Sequence, residues 1–502
     1  MKIIFFLILV STMKLFSQDA LPEDKISHRP PMVAGSFYPA DPDSLRKMID
    51  TMMIDRKAVD VSSREIIGML APHAGYVYSG KVAGKAYRAL IGRKYDVAII
   101  ISPSHQKAFK GSCVFSGDAY VTPLGVVNVD KNLAAAIAGV HPLVKLGMDG
   151  HNWRGVTPEH AIEVQLPFLQ VTIPGTPIVP IVMGSQDVNS TDALMRSIVY
   201  AVKNSGKKVL IIASSDLSHY HSADSASKMD GDGLKLLYKY DYFSYQLQSI
   251  TGKVEACGTG PIVVMMTSIE QLGGASLFPV NYSHSGKTEA GKGNDRVVGY
   301  GSALVMKSDE YDDTPFFEGS DKEKILILAK ETVVNTVMKK DKEEYSIQLV
   351  PYKLTMPNSA FVTIEKKGQL RACMGHTFPS DNLLNELKSA AKLAATSDYR
   401  FGPVKPEELD SLQYEVTILS RMKRVLDLDK VIIGKDGLLI RMGNNQGIFL
   451  PQVASERNWD IQTYLENLCY KAGLPKDAYL QPEAQLFSFR ALVIHESDLE
   501  KK

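Results

Sequence analysis

Short apolar runs rich in β-branched residues end repeatedly in a few polar residues, and this limits the folds open to the chain. Ile66-Ile67-Gly68-Met69-Leu70 runs into Ala71-Pro72-His73-Ala74-Gly75, and Val97-Ala98-Ile99-Ile100-Ile101 runs into Ser102-Pro103-Ser104-His105. Lys208 to Ala213 ends in Ser214-Ser215-Asp216-Leu217-Ser218-His219, and Ile178 to Met183 is a further short run. Unbroken apolar runs of this length suit strands buried on both faces of a parallel sheet. Between them, Thr191 to Val199 has helical periodicity with Thr191 as its cap. Strands therefore alternate with helices, as in an α/β layer fold. Such sheets bind ligands beyond the carboxyl ends of their strands, where His73 and His105 both stand. Glu255-Ala256-Cys257-Gly258 adds a thiol just ahead of a helix start, where the dipole favours a thiolate. The expectation is a small His/His/Cys pocket, either a metal site or a nucleophile site. Imidazole suits iron, copper and zinc, and a thiolate adds softness that disfavours magnesium and calcium.

The chain is 502 residues long, which suggests more than one core. It carries 57 basic and 56 acidic residues, a formal charge of +1. That balance, with no glycine-rich phosphate loop and no basic stripe, argues against nucleic acid as a partner. Lys2, an apolar run from Ile3 to Val10 and the small residue Ser17 read as a secretory signal over residues 1–18. The expected location is periplasmic or extracellular, or cytoplasmic if that segment is not a signal. The apolar run is too short for a folded membrane span, so no stable membrane insertion is expected. Four widely spaced cysteines fit neither a disulfide framework nor a zinc knuckle. Cys113 lies in a strand-like run and Cys469 on the inner face of a helix, both as small core residues. Cys257 and Cys373 are the chemically interesting pair. His28, His141 and His151 read as solvated loop residues, His160 as the start of an amphipathic helix beside Glu159, and His221 and His284 as rim residues.

Ala71 to Gly80 (Ala-Pro-His-Ala-Gly-Tyr-Val-Tyr-Ser-Gly) resembles the Memo family. Ala34-Gly35-Ser36-Phe37-Tyr38-Pro39, Ser102 to His105, Glu159 to Phe168, Ser214 to His219 and Ala256-Cys257-Gly258 match in order. The resemblance implies a fold similar to class III extradiol dioxygenases, which hold non-haem iron. It implies His73, His105 and Cys257 as ligands of iron or copper, with Asp216 and His219 lining the same pocket as catalytic candidates. Phe37 and Tyr78 match an aromatic pocket that binds phosphotyrosine-type peptides in some members, although Phe37 stands where tryptophan is usual. With His160 they form the expected substrate pocket.

In the second half, Leu370-Arg371-Ala372-Cys373-Met374-Gly375 resembles a hallmark of the AMMECR family, with Ala372 for glycine and Met374 for isoleucine. Asp398 to Pro403, Tyr414 to Ser420 and Gly447 to Ala454 followed by Trp459-Asp460 agree with it. The mixed strands and helices of this half, including Ala360 to Ile364, Leu383 to Ala395 and the helix Glu323 to Lys339, suggest an α+β domain. The expected domains are 28–307 and 322–497, joined by an acidic linker at 308–321 that has little to bury. Arg371, Cys373, Arg400 and Glu415 are expected to share a polar cleft, with Cys373 a catalytic candidate. The alternative is a buried strand cysteine flanked by structural arginine pairs.

In prokaryotes the two resembled families accompany a radical-SAM protein, the AmmeMemoRadiSam set. This chain lacks the clustered cysteines of an iron–sulfur enzyme, so a radical-SAM protein is expected as a separate partner. Three functions follow. The first is a dioxygenase-like metal-dependent redox protein acting on a small molecule or peptide. The second is a metal- or peptide-binding module without turnover. The third is a hydrolase using Cys257, His219 and Asp216.

Overall fold

The computed structural model describes residues 28–54, 64–151, 158–307, 314–340 and 352–498. The segment expected to direct export lies outside them. The apolar runs form the middle of a nine-stranded sheet. Ile66–Ala71, Val209–Ser214, Val97–Pro103 and Ile178–Met183 lie side by side and parallel, in that order. Nearly every side chain of these strands is buried, because helices cover both faces. Val297–Lys307 and Ala275–His284 add antiparallel strands beyond Ile66–Ala71, and Ser112–Phe115 and Val144–Gly147 extend the other side. One helix, Thr259–Gln271, sits hard against the sheet at Gly68, where a Cβ would lie 2.3 Å from Ile269 Cδ1. A larger residue there would force the Ile269 methyl to move.

The helix between the strands Ile178–Met183 and Val209–Ser214 runs from Val188 to Ser205, longer than its periodicity suggests. Its cap is Asp187 and not Thr191: the Asp187 carboxylate accepts from the amides of Asn189 and Ser190.

The second half holds two antiparallel four-stranded sheets. In the first, Gln369–Gly375, Ala360–Lys366, Leu412–Leu419 and Ala491–His495 are neighbours in that order, and the helices Gly319–Val337 and Leu383–Thr396 pack on one face. In the second, Gly437–Met442 lies between Asn445–Phe449 and Gln485–Phe489, with the helix Ile461–Lys471 against it. Mixed α/β architecture in two parts is thus established. The linker expected at 308–321 is shorter where it is described. Phe317 is already buried in the second core, and the helix has begun at Gly319.

The two parts share an interface that is both apolar and ionic. Phe243 meets Phe378 and Phe487 at ring-centre distances of 5.0 and 4.7 Å. Arg424, almost fully buried, donates to Asp192 at 2.7 Å and to the carbonyl of Leu486 at 2.9 Å. Arg421 donates to Glu270 at 2.5 Å, and Gln485 donates to the Val188 carbonyl at 3.2 Å. Charge pairs between the parts tie them together, and separation would leave Arg424 buried without a carboxylate.

Candidate functional site

The parallel register sets the site. Ala71 is level with Ser214, and Ile101 with Ala213, so three neighbouring strands stop together. His73 and His105 each follow their strand by two residues, and Asp216 follows the third in the same way. Cys257 comes in from the other side, ahead of the helix Thr259–Gln271. Gly258 makes this possible, because a Cβ there would lie 2.6 Å from Ser215 Cβ and 2.8 Å from the Ser214 carbonyl. The Gly258 amide instead donates to Ser215 Oγ at 2.9 Å. One potential ligand atom from each of His73, His105 and Cys257 lies within 4.8 Å of the others.

Hydrogen bonds fix which nitrogen each ring presents. Ser214 Oγ donates to the Ala161 carbonyl at 2.7 Å and accepts from Gln165 Nε2 at 2.8 Å. Its only proton is spent, so it accepts from His73 Nδ1 across their 3.0 Å contact. His73 Nε2 is therefore the nitrogen with a free lone pair, and it lies 3.2 Å from Cys257 Sγ. The Gln165 amide is oriented in turn by Tyr87, whose hydroxyl donates to Oε1 at 2.8 Å. His105 is held by Glu159. Its Nδ1 is 2.9 Å from Oε1 and its backbone amide donates to Oε2 at 2.6 Å, which leaves Nε2 for the pocket. A carboxylate or hydroxyl behind each imidazole is the usual way to aim a ligand ring and fix its tautomer. Sequence reasoning assigned none of these roles to Glu159, Ser214 or Gln165, although Glu159 and Gln165 lie in the quoted Glu159–Phe168 stretch. Their charged or amide side chains, placed there among apolar neighbours, were the available signal.

Electrostatics follow from burial. Desolvation, with the charge of His105, keeps His73 neutral by lowering its pKa well below the usual imidazole range. Burial also opposes a charge on His105, but the hydrogen bond and charge of Glu159 outweigh it and raise its pKa. Glu159 is ionised despite its own burial, held down at about 2 chiefly by the His105 hydrogen bond. His160 drops to about 3 through burial and the charges of His73 and His105. Burial raises the pKa of Asp216. The thiolate expected at Cys257 is not favoured by the protein groups around it. Desolvation and the Asp216 carboxylate push that thiol up, against whatever the helix start contributes.

The remaining candidates fall around this centre. Asp216 accepts from the His73 amide at 2.8 Å, and its own amide donates to Cys257 Sγ at 3.3 Å. His219 stands at the rim, 3.9 Å from Glu255, which also takes His221 at 2.7 Å. The imidazole nearest the thiol is thus His73 and not His219. His160 does not begin a helix. The helix starts at Leu166, and the His160 ring stacks on His105 at 4.8 Å with Phe37 at 4.6 Å on it. His105, Glu159 and His160 form a second group with ligand spacing. Tyr78 is exposed beside Gly75 and Phe37. His151, read as a solvated loop residue, is fully buried. Tyr120 meets its Nδ1 at 2.7 Å and the Cys113 carbonyl its Nε2 at 3.0 Å. His284 is buried too, not at a rim. Cys113 and Cys469 are buried, and all four cysteines are unpaired.

In the second half, Arg371 is committed to Glu408 at 2.9 Å and to the Gly402 and Pro403 carbonyls. Arg400 is committed to Asp398 at 2.7 Å. Of the four residues expected to share a cleft, Arg400 reaches Cys373, donating to its carbonyl at 3.3 Å, while Arg371 turns to Glu408. Each guanidinium already has a carboxylate, while Cys373 and Glu415 are half-buried on one face of the sheet.

No described helix is long and apolar enough to cross a membrane. A family model described as Memo-like protein matches residues 29–304, and one described as AMMECR1 matches residues 326–494. A MEMO1 family protein of Methanosarcina barkeri is 36% identical over 278 residues, covering 55% of this chain and 99% of that protein. Another from Pyrobaculum aerophilum is 35% identical over 285 residues, covering 56% and 99%. A solved structure of an uncharacterised protein from Pyrococcus horikoshii is 31% identical, covers 35% of this chain and 92% of its own, and has a TM-score of 0.33. The chain belongs to the family of Memo-like proteins and carries an AMMECR1 domain behind its Memo-like domain.

Proposed function

We propose that the pocket is a metal centre with His73, His105 and Cys257 as ligands, in a dioxygenase-like redox protein whose first domain resembles class III extradiol dioxygenases. The observation that supports this best is the convergence of three donor atoms within 4.8 Å, with Ser214 and Glu159 leaving a free nitrogen on each ring. The donor set fits iron or copper: two imidazoles and a thiol, with binding displacing protons from Cys257 and from any charged His105. Such a metal would supply redox chemistry toward a small-molecule or peptide substrate. The chain's own residues have separate tasks. Glu159 keeps the His105 ring in place, and Asp216 holds the His73 loop through the backbone. Its backbone amide donates to the Cys257 sulfur at 3.3 Å, which holds the thiol against the His73 loop. His160, Phe37 and Tyr78 form the wall that a substrate would meet.

On this reading the AMMECR1 domain serves the same substrate or assembly, a radical-SAM protein is an outside partner, and residues 1–18 direct export. The test is elemental analysis of protein purified from its own compartment, followed by oxygen uptake. Iron or copper with uptake supports the redox protein. Metal without uptake leaves a binding module. Neither metal nor uptake contradicts the reading.

One observation favours a second reading. The 3.2 Å contact of Cys257 Sγ with His73 Nε2 is also the geometry of a thiol activated by a base. A Cys257 hydrolase would work without metal and would die on alkylation of that thiol.

A further inference from the structure

Away from the metal pocket, the first sheet of the AMMECR1 domain carries a thiol, a hydroxyl, a carboxylate and an imidazole in one row. The register pairs Cys373 with Thr363, Thr363 with Glu415, and Glu415 with His495. Residues so paired project from the same face. The alternate residues Val362, Ala372, Val416 and Ile494 are buried in the core on the other face, beneath the two helices. The row itself is half-buried at Cys373, Thr363 and Glu415 and exposed at His495.

The contacts form a chain. Thr363 Oγ1 is 3.4 Å from Cys373 Sγ and 3.4 Å from Glu415 Oε1. Glu415 Oε2 is 3.2 Å from His495 Nδ1. A hydroxyl has one proton and two lone pairs. Turned toward Glu415, Thr363 donates there and can accept the S–H proton, so a proton leaving sulfur has a path to a solvent-facing imidazole. The main chain of Cys373 is also held. Its amide donates to Asp398 at 2.9 Å and its carbonyl accepts from Arg400 at 3.3 Å, while Asp398 and Arg400 are themselves paired. A cysteine kept only for packing needs neither a proton path nor a clamp.

We propose that Cys373 is the nucleophile of a second, acyl-transfer site, with Glu415 and His495 taking up its proton through Thr363. The substrate class is an ester or thioester. As the Cys373 sulfur bonds to the carbonyl carbon, its proton passes to Thr363, and the Thr363 proton passes to the Glu415–His495 pair. The bond from carbonyl carbon to the leaving oxygen or sulfur breaks, and the leaving group takes a proton back from that pair. Water then hydrolyses the Cys373 thioester, or an acceptor removes the acyl group. No oxidant or reductant is needed. A disulfide cycle has less support, because Cys113 and Cys469 are buried and Cys257 belongs to the metal pocket. The site is independent of the metal reading and goes beyond it.

The experiment uses the full chain and p-nitrophenyl acetate, with peptide mapping to locate the acetyl group. The expected result is a burst with the acetyl group on Cys373, lost in Cys373→Ser. Glu415→Gln and His495→Asn should slow acylation on the order of 100-fold and remove an inflection from its pH profile. A purely structural role for these rim residues would leave that profile alone. Thr363→Val should match them, since it cuts the path while preserving shape. Should Cys373→Ser fail to fold, the His495 and Glu415 variants decide the matter, with melting curves as the fold control. Acetylation at lysines or at Cys257 with Cys373 unmodified would overturn the proposal. So would a His495→Asn protein that acylates at the wild-type rate with an unchanged pH profile.

Discussion

The Memo-like pocket and the AMMECR1 sheet face place a cysteine beside ionisable partners in opposite ways. In the pocket, Cys257 is brought to His73 and His105 by loops that follow three parallel strands, and burial dominates. The thiol and the His73 imidazole are driven toward their neutral forms while Glu159 raises the pKa of His105, so a cation entering there would replace protons as well as water. On the sheet face, Cys373 reaches Glu415 and His495 through cross-strand pairing, and the row ends in solvent. The same residue types meet in a buried pocket in one place and in a row that ends in solvent in the other. Depth and neighbours make the difference, not composition.

The largest effect expected is at the seam between the two regions. Asp192→Ala leaves Arg424 buried without its carboxylate, which should cost about 3–5 kcal/mol of stability. Denaturant titration of the full chain measures it. Fragments 28–307 and 314–498 should each melt below the intact protein, because both lose the Phe243–Phe378–Phe487 contact. Fragments as stable as the whole would show that the two regions are energetically separate.

Acid comes next. His151 is buried and neutral, with a folded pKa lowered to about 4, mainly by desolvation. The unfolded chain takes up its proton below about 6.5 while the folded protein refuses it. The His151 contribution is therefore full above about pH 6.5 and falls as pH drops toward 4, by roughly 3 kcal/mol. His151→Gln should flatten that part of the stability–pH curve. An unchanged slope would mean that this histidine is not held neutral.

Two substitutions that leave all three proposed ligands in the chain sharpen the contrast. Gly258→Ala should weaken metal binding by on the order of 100-fold or more, because the added carbon meets Ser215 and the Ser214 carbonyl and pushes Cys257 outward. Glu159→Gln should cost about 10–100-fold, since the carboxylate behind His105 becomes an amide. Neither should alter acylation at Cys373. Metal titration and the acetate assay, run on the same preparations, check both.

Much of the first domain was legible in its sequence, for physical reasons. A strand buried on both faces has to be apolar throughout, so the runs ending at Leu70, Ile101 and Ala213 declared themselves. Residues at strand ends then marked the pocket. What directs the rings was not legible. Ser214, Glu159 and Gln165 act through hydrogen bonds to residues distant in sequence, and no periodicity encodes such bonds. His151 misled because Gly150 and its polar neighbours suggest a solvated loop, while Tyr120 and the Cys113 carbonyl in fact enclose it. In the second domain the hallmark around Cys373 was visible. Its partners Thr363 and His495 depend on strand register, which pairs the two ends of the domain and leaves no local trace. The arginines drew attention as catalytic neighbours, but Glu408 and Asp398 claim them.

The central claim is that His73, His105 and Cys257 are direct metal ligands. Equilibrium dialysis of wild-type protein and of Cys257→Ala against Fe(II), Cu(I) and Zn(II), with elemental analysis of the retained metal, tests it most directly. The account predicts stable binding by the wild type, weaker as pH falls, and its loss in Cys257→Ala, with Asp216→Ala retaining most of it. Binding by Cys257→Ala as tight as by the wild type would contradict the ligand set.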